Sequence, residues 1–545
     1  MDRNTLVAFF LISLVLIFTP KYMELVSPAS TETKSTDSLF VEPTPPQVPV
    51  QETRSSTLAA TRQTGQPVLS SNPEEIILIN TDLYSAEVSS MGGGSFNSFR
   101  FNRYFTADSK LVNIAKGNNL LITGKTLDGD DLNLSGPWDV HSKENGVIQK
   151  IVFKKEVFSG MFIYKSLLFY EDSYVVDVEL DLTDVSNNIY RNAMFGWSGG
   201  LSSTEENLED DLYYFNSYVY QGGELENLKV GKGESEDKTF NGTTDWAALR
   251  TKYFTVAIIP ENNKAVDRVT LSGVGDEKTE TYGASFVFDP INKEGFRLYL
   301  GPLEYDRVTS LGVGLESIMD FGWSFIRPIS KGVLYALKSM HGFIPNYGFV
   351  LIVFAFLIKL IVYPLTKKSY QSMSAMQAVA PEINELKEKY KSNPTKLNQA
   401  TMELYKKRGV NPLGGCLPML LQMPLLFALF QVFRTTIELR AEPFIWWITD
   451  LSSPDTVLLL PFKIPIYGSH VAILPVLMVV SMFVQQRMMS GAAQQPQQKT
   501  MQYFMTAFFF LMFNGFPSGL NLYYTLFNVL TIAQQKLIPP DNKAA

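Results

Sequence analysis

Two hydrophobic periods divide this chain. From Pro73 to about residue 310, apolar positions recur every second residue. Val176, Val178, Leu180 and Leu182 alternate with Asp177, Glu179, Asp181 and Thr183, the pattern of a half-buried antiparallel strand. Ile76–Asn80, Met161–Tyr170, Tyr253–Ile259, Ala284–Phe288 and Phe296–Leu300 read as further strands. Gly92-Gly93-Gly94, Asp128-Gly129 and Asn241-Gly242 supply turns between such runs. Many strands and no long helical periodicity predict an all-β sandwich domain over 73–310.

The period then becomes helical. Between Trp323 and Phe343, residues Phe325, Ile326, Ile329, Val333, Leu334, Leu337 and Met340 fall on one side, away from Lys331 and Lys338. A helix over 320–345 lying in a membrane interface, or one packed on the sandwich, accounts for this. Five long apolar stretches follow: Tyr347–Leu365, Leu417–Phe433, Val471–Val484, Met501–Phe516 and Ser518–Gln534. They predict a multi-pass α-helical membrane core over 346–538. The last three stretches are roughly 21–26 Å long as helices, short against a hydrocarbon core of about 30 Å, which implies local thinning of the bilayer. Leu6–Phe18 is either a signal-peptide core or a sixth span. Its best cleavage site, Ser27-Pro28-Ala29, carries a proline, so residues 1–20 are expected to be an uncleaved anchor. Residues 21–72 are rich in Ser, Thr, Pro, Gln and Glu and read as a disordered tether.

Composition adds little until it is read locally. The 545 residues are 46% hydrophobic with a formal net charge of −7, which argues against nucleic acid as the main partner. A single cysteine, Cys416, excludes an intramolecular disulfide. Segment 366–416 reverses the overall balance, with nine Lys and Arg from Lys367 to Arg408 against four Glu. Such a loop belongs in the cytoplasm, which places both termini there and the sandwich outside. It is predicted to form a hairpin of two helices, Tyr370–Lys391 and Thr395–Lys407, turning at Asn393-Pro394. Its lysines serve either to contact a ribosome, targeting receptor or anionic lipid, or simply to fix topology.

Lys359 lies inside an apolar run. A charge at a helix centre in lipid costs at least about 2.5–3.5 kcal/mol, so it faces a wet cavity or snorkels to the nearer surface. Measured from each cytoplasmic boundary, Lys359, Gln422, Ser481, Thr506 and Asn528 sit at a similar depth of about 8–10 Å. Ser481 and Thr506 can also bond to their own helix backbone. Taken together, Lys359, Gln422 and Asn528 point to a hydrated cavity that opens inward and is sealed outward.

Three chemical motifs fail on context. Gly196-Trp197-Ser198-Gly199-Gly200 fits G-x-S-x-G, but the next histidine is His341 and the surroundings are all-β. Gly124-Lys125-Thr126 lacks the first P-loop glycine, a position held by Asn119. His141, His341 and His470 are too scattered for a metal site. No catalytic residue, cofactor or metal is expected, and the chain does not read as an enzyme.

Phe356–Thr366 (FLIKLIVYPLT), Asn411–Pro424 (NPLGGCLPMLLQMP), Phe516–Tyr524 (FPSGLNLYY) and Asn528–Gln535 (NVLTIAQQ) closely resemble the YidC/Oxa/Alb membrane protein insertase family in its Gram-negative form. The resemblance covers about Asp320–Ile538. It implies a five-helix insertase core with a lipid-open hydrophilic groove, a cytoplasmic hairpin and a periplasmic β-sandwich, all in a bacterial inner membrane. It also implies insertion and folding of nascent membrane proteins, alone or with the Sec translocon, without nucleotide hydrolysis. The groove cation, commonly arginine in the family, is Lys359 here. The tail after Gln535 is short and not strongly basic, which makes a tail-mediated ribosome contact unexpected. A channel or transporter is the main rival, but inverted repeats and discontinuous helices are missing from the pattern. A membrane-tethered carbohydrate-binding protein or enzyme is the second, and it lacks a carboxylate constellation.

Overall fold

The computed structural model describes residues 73–391, 393–410, 417–465, 467–489 and 496–537. The expected anchor (1–20), tether (21–72) and tail (539–545) lie outside these, as do Asn411–Cys416 of the family-like stretch. Gln495–Tyr503 falls in a separate compact unit, of which the described residues form only the start of the helix Pro496–Phe513. The other unit comprises Gly65–Gln494 and Phe504–Ala545.

Period-two alternation produces three antiparallel sheets. The largest has nine strands, running in order Glu224–Leu228, Asn216–Gln221, Thr244–Arg250, Phe254–Pro260, Glu294–Pro302, Val175–Asp181, Met161–Tyr170, Ile148–Phe158 and Asp139–Glu144. Val176, Val178 and Leu180 are fully buried, while Asp177 lies directly opposite Arg297 on the outer face, an opposite-charge cross-strand pair. A four-stranded sheet (Ile76–Asn80, Tyr84–Ser89, Ser95–Phe105, Leu111–Asn113) covers one end of the large sheet's inner face. A five-stranded sheet (Ser235–Asn241, Val266–Gly275, Glu280–Phe288, Ala193–Trp197, Leu120–Thr123) covers the other. Aromatic rings join the layers. Phe101 stacks on Phe254 at 4.9 Å across the first contact, and Phe195 meets Phe296 at 4.7 Å across the second. The Ala193–Trp197 strand runs into a loop, and no helix follows it to present Ser198.

The helical half begins with Arg327–His341. Val333, Leu334 and Leu337 are buried, and the helix packs on Leu417–Thr435 and Tyr347–Ala378, while Lys338 reaches Asp306 at 2.5 Å. Phe325, Ile329 and Tyr335 remain exposed. The helix Tyr347–Ala378 starts at Asn346, whose side chain accepts from Phe349 N at 3.2 Å and donates to Pro443 O at 2.9 Å. At 32 residues it is about 48 Å long and carries on through the first quarter of the expected hairpin. The expectation of a separate helix over Tyr370–Lys391 is therefore corrected. Ala375 and Met376 pack on the hairpin cluster of Val379, Ile383 and Val410, so the helix runs on to Ala378, the break falls at Val379, and a second helix covers Ala380–Lys389. Its partner is Pro394–Lys407, capped by Asn393 through a bond from Lys396 N at 3.1 Å. Val379, Ile383 and Val410 pack the hairpin together, and Arg408 pairs with Glu382 at 2.6 Å.

Leu417–Thr435, Ile473–Met489, Pro496–Phe513 and Ser518–Leu537 occupy the four later apolar stretches. Among the described helices, Tyr347–Ala378 alone is long and apolar enough to cross a membrane by length and composition; Ile473–Met488 and Tyr503–Phe513 are shorter apolar helices. An element without a sequence forecast precedes Ile473. Thr456–Ile464 and Gly468–Ala472 pair as a two-stranded ribbon, so the apolar run expected to be helical from Val471 begins as strand.

Candidate functional site

The last helix, Ser518–Leu537, organises the helical half. It packs against Ile473–Met489, Tyr347–Ala378 and Leu417–Thr435. Its buried face changes character along its length. Leu520, Tyr523, Tyr524 and Phe527 fill the half near the sandwich, and Asn528, Thr531 and Gln534 fill the other half. Residues three and four apart share a helix face, so this spacing alone aligns the polar group as a seam.

Lys359 meets the helix where the apolar half gives way to that seam. It is 7% exposed, and its Nζ lies 4.1 Å from the centroid of the Phe527 ring. Among the described residues no carboxylate or hydrogen-bond acceptor contacts it. One residue further on, Asn528 Nδ2 donates to Ser481 Oγ at 3.2 Å, and Ser481 Oγ donates to Met478 O at 2.7 Å. Asn528 and Ser481 thus meet directly, and Lys359 reaches the last helix at the adjacent Phe527. Thr506 stands apart, donating to Gln486 Oε1 at 3.3 Å, five residues or about 7.5 Å along the helix from Ser481. Gln422 is half-buried on the Leu417–Thr435 helix. Two residues escaped the sequence reading. Gln534 Nε2 donates to Thr366 Oγ1 at 2.8 Å and so ties the last helix to the base of the hairpin. Both residues stand in the family-like stretches, which was the available signal.

At the end of the bundle nearest the sandwich, aromatic rings pack together and side chains bond to loop carbonyls. Phe513 packs on Phe516 at 4.8 Å. Ser518 Oγ donates to Asp450 O at 2.7 Å, and Asn514 Nδ2 donates to Tyr467 O and His470 O at 2.8 and 2.7 Å. Gly519 lies so close to Phe433 that an added Cβ would sit 2.6 Å from the ring.

The sandwich is fastened to this end by charge. Arg434 pairs with Asp210 at 2.8 Å and Arg440 with Glu205 at 2.8 Å. Arg440 also donates to the carbonyls of Phe105 and Thr204. Lys252 reaches Asp210 from the sandwich side at 2.7 Å. Burial pushes the Asp210 carboxyl up, but Lys252 and Arg434 outweigh it and hold the group below its ordinary value. Burial wins at Glu205, whose carboxyl is raised despite Arg440. Among the described residues no cluster of His, Cys, Asp and Glu could hold a metal ion.

Two family descriptions match the chain: the YidC periplasmic domain over residues 76–331 and the 60Kd inner membrane protein over 339–544. A membrane protein insertase YidC of Prosthecochloris aestuarii is 35% identical over 558 residues, covering 98% of this chain and 94% of that protein. Its counterpart in Chlorobium luteolum is 39% identical over 494 residues, covering 87% and 84%. A solved structure of an active YidC insertase covers 86% of this chain and 94% of its own, at 17% identity and a TM-score of 0.36. The chain therefore belongs to the YidC family of membrane protein insertases.

Proposed function

We propose that the chain inserts and folds integral membrane proteins through an inward-open hydrophilic groove lined by Lys359, Gln422, Ser481, Thr506 and Asn528. Six spans, with both termini in the cytoplasm, would carry the groove. The anchor (1–20), tether (21–72), sandwich (73–310), interfacial helix (320–345) and core (346–538) divide the work. Nascent membrane proteins are the substrates. The Sec translocon is a partner for some of them, and the hairpin over 366–416 meets the ribosome, a targeting receptor or lipid headgroups. The family is not an enzyme family, and the reaction proposed here needs no nucleotide, cofactor or metal.

The observation that carries this reading is Lys359. A desolvated ammonium over an aromatic ring gains about 2 kcal/mol, and burying an unpaired charge costs more than that. The balance is met if water fills the space beside Phe527, and the neighbouring Asn528–Ser481 pair supplies polar walls for it. An acidic residue of an entering segment would then be drawn to Lys359 by roughly 1–4 kcal/mol at 4 Å, depending on how wet the groove is. That range favours entry and still permits sideways release into lipid.

Substitution tests it. Lys359→Arg keeps the charge and should insert substrates normally. Lys359→Ala should impair substrates with acidic outer segments, Lys359→Glu should impair them most, and substrates without such charges should respond little. Lys359→Cys, with Cys416 replaced, should react with a water-soluble thiol reagent added from the cytoplasmic side. An inert cysteine, together with normal insertion of acidic substrates by Lys359→Glu, would sink the groove assignment.

A further inference from the structure

The ribbon of Thr456–Ile464 and Gly468–Ala472 runs without a linker into the helix Ile473–Met489. The strand Thr456–Ile464 hides neither of its faces. Val457, Leu458 and Leu459 are 46%, 58% and 74% exposed and Phe462 is 60% exposed, so consecutive apolar side chains stand bare on both faces. Residues 456–472 contain no Asp or Glu.

The base of the ribbon is firmly held. The Asp455 carboxylate accepts from Ile473 N at 3.0 Å and Leu474 N at 2.8 Å, capping the helix, and from Trp447 Nε1 at 2.9 Å. Asn514 binds the carbonyls of Tyr467 and His470 and accepts from Ala472 N at 3.2 Å. Lys463 reaches Glu209 of the sandwich at 2.9 Å. The apolar residues are thus displayed by a built support.

We infer that this ribbon is an interfacial foot that rests in the outer leaflet of the lipid bilayer, a role that depends on reading Ile473–Met489 as a span. Three observations select lipid over protein. The ribbon continues an apolar helix of 17 residues at the end that faces the sandwich. Pro461 within the exposed strand lacks an N–H and, with Pro465 beyond it, blunts the edge against strand addition by another chain. Lys463 and the stacked pair Trp446–Trp447, with Trp446 85% exposed, are the residue types that settle at headgroup depth. An open ribbon cannot enter the hydrocarbon, because its edge amides and carbonyls need partners. It lies at the boundary, where water reaches the backbone and acyl chains reach the side chains. The 17-residue helix beneath it is about 26 Å long, and the foot carries its apolar surface up to that boundary.

The full chain, with Cys416 replaced, is tested by attaching the environment-sensitive fluorophore NBD to Leu459→Cys and, separately, Phe462→Cys. Both are placed in vesicles of phosphatidylethanolamine and phosphatidylglycerol containing lipids spin-labelled near the headgroup or near the chain end. Val480→Cys, in the middle of Ile473–Met489, and Val147→Cys, exposed on the sandwich, serve as references. The two ribbon sites should be quenched most by the shallow label, Val480 by the deep label, and Val147 by neither. If the ribbon sites behave like Val147 while Val480 stays quenched, the ribbon lies in water and the inference is wrong although the span stands. If Val480 is also unquenched, the span reading falls and takes the inference with it. Shielding of Leu459 from both lipid labels and aqueous iodide would mean that protein covers the ribbon, which overturns the inference too.

Discussion

Replacing Lys165 with methionine should change how the sandwich responds to pH. Lys165 lies on the inward face of Met161–Tyr170, between Ile163 and Leu167, and is fully buried. Its Nζ donates to Leu120 O at 3.0 Å and Gly92 O at 3.3 Å, so one side chain of the nine-stranded sheet holds the five-stranded sheet and the turn that leads into the four-stranded one. The Phe195 ring lies 5.7 Å away, and among the described residues no carboxylate balances the charge. Burial pushes the ammonium down from 10.5 to about 7. At 1.36 kcal/mol per pH unit, that gap is worth about 5 kcal/mol. Below pH of about 7 the folded and unfolded chains both hold the proton, and the whole penalty is present. Between about 7 and 10.5 the unfolded chain holds a proton that the folded chain has released, so stability rises with pH by up to about 1.4 kcal/mol per unit. Methionine removes this slope. It also deprives two carbonyls of a donor, at a cost of about 1–3 kcal/mol each, so the diagnostic quantity is the slope and not the offset. Urea unfolding of the full chain in detergent, followed by tryptophan fluorescence at pH of about 7, 8 and 9, reads it directly. Tyrosines that titrate above this range cancel in the comparison. Parallel pH curves for wild type and Lys165→Met would refute the assignment of a neutral buried lysine.

Asp210→Ala should leave Lys252 and Arg434 facing each other unpaired, at a cost of about 3–5 kcal/mol, with faster hydrogen exchange at Leu208–Tyr214 as the readout. Because the Asp210 carboxyl is held below its ordinary 3.8, its contribution is complete above that pH and is lost as pH falls through the folded value. The stability difference between wild type and Asp210→Asn should accordingly shrink in acid. Gly519→Ala should cost about 1–3 kcal/mol, seen as a lower melting temperature, because its Cβ would lie 2.6 Å from the Phe433 ring. If the melting temperature is unchanged, the contact between the last helix and Leu417–Thr435 is looser than described.

Much of the architecture was legible in the chain because periodicity is a local property. Backbone geometry makes side chains repeat every two residues in a strand and every 3.6 in a helix, so Val175–Asp181 and Arg327–His341 announced themselves wherever one face was buried. Single polar residues in apolar runs, such as Lys359, Ser481 and Asn528, were equally visible, because an isolated charge or amide in such a run needs a reason. Short apolar runs carry no such mark, which is why the strand before Ile473 merged with the helix that follows it. Tertiary structure alone decided who meets whom. Thr366 finds Gln534 across 168 positions, Arg434 finds Asp210 across 224, and Arg440 finds Glu205 across 235. Lys165 is the sharpest case, since alternation points a lysine into an apolar core and nothing nearby in sequence satisfies it. Its acceptors, Leu120 O and Gly92 O, come from strands and turns that reach it only when three sheets close on one another. Such partners depend on long-range packing, and packing leaves no period in the chain.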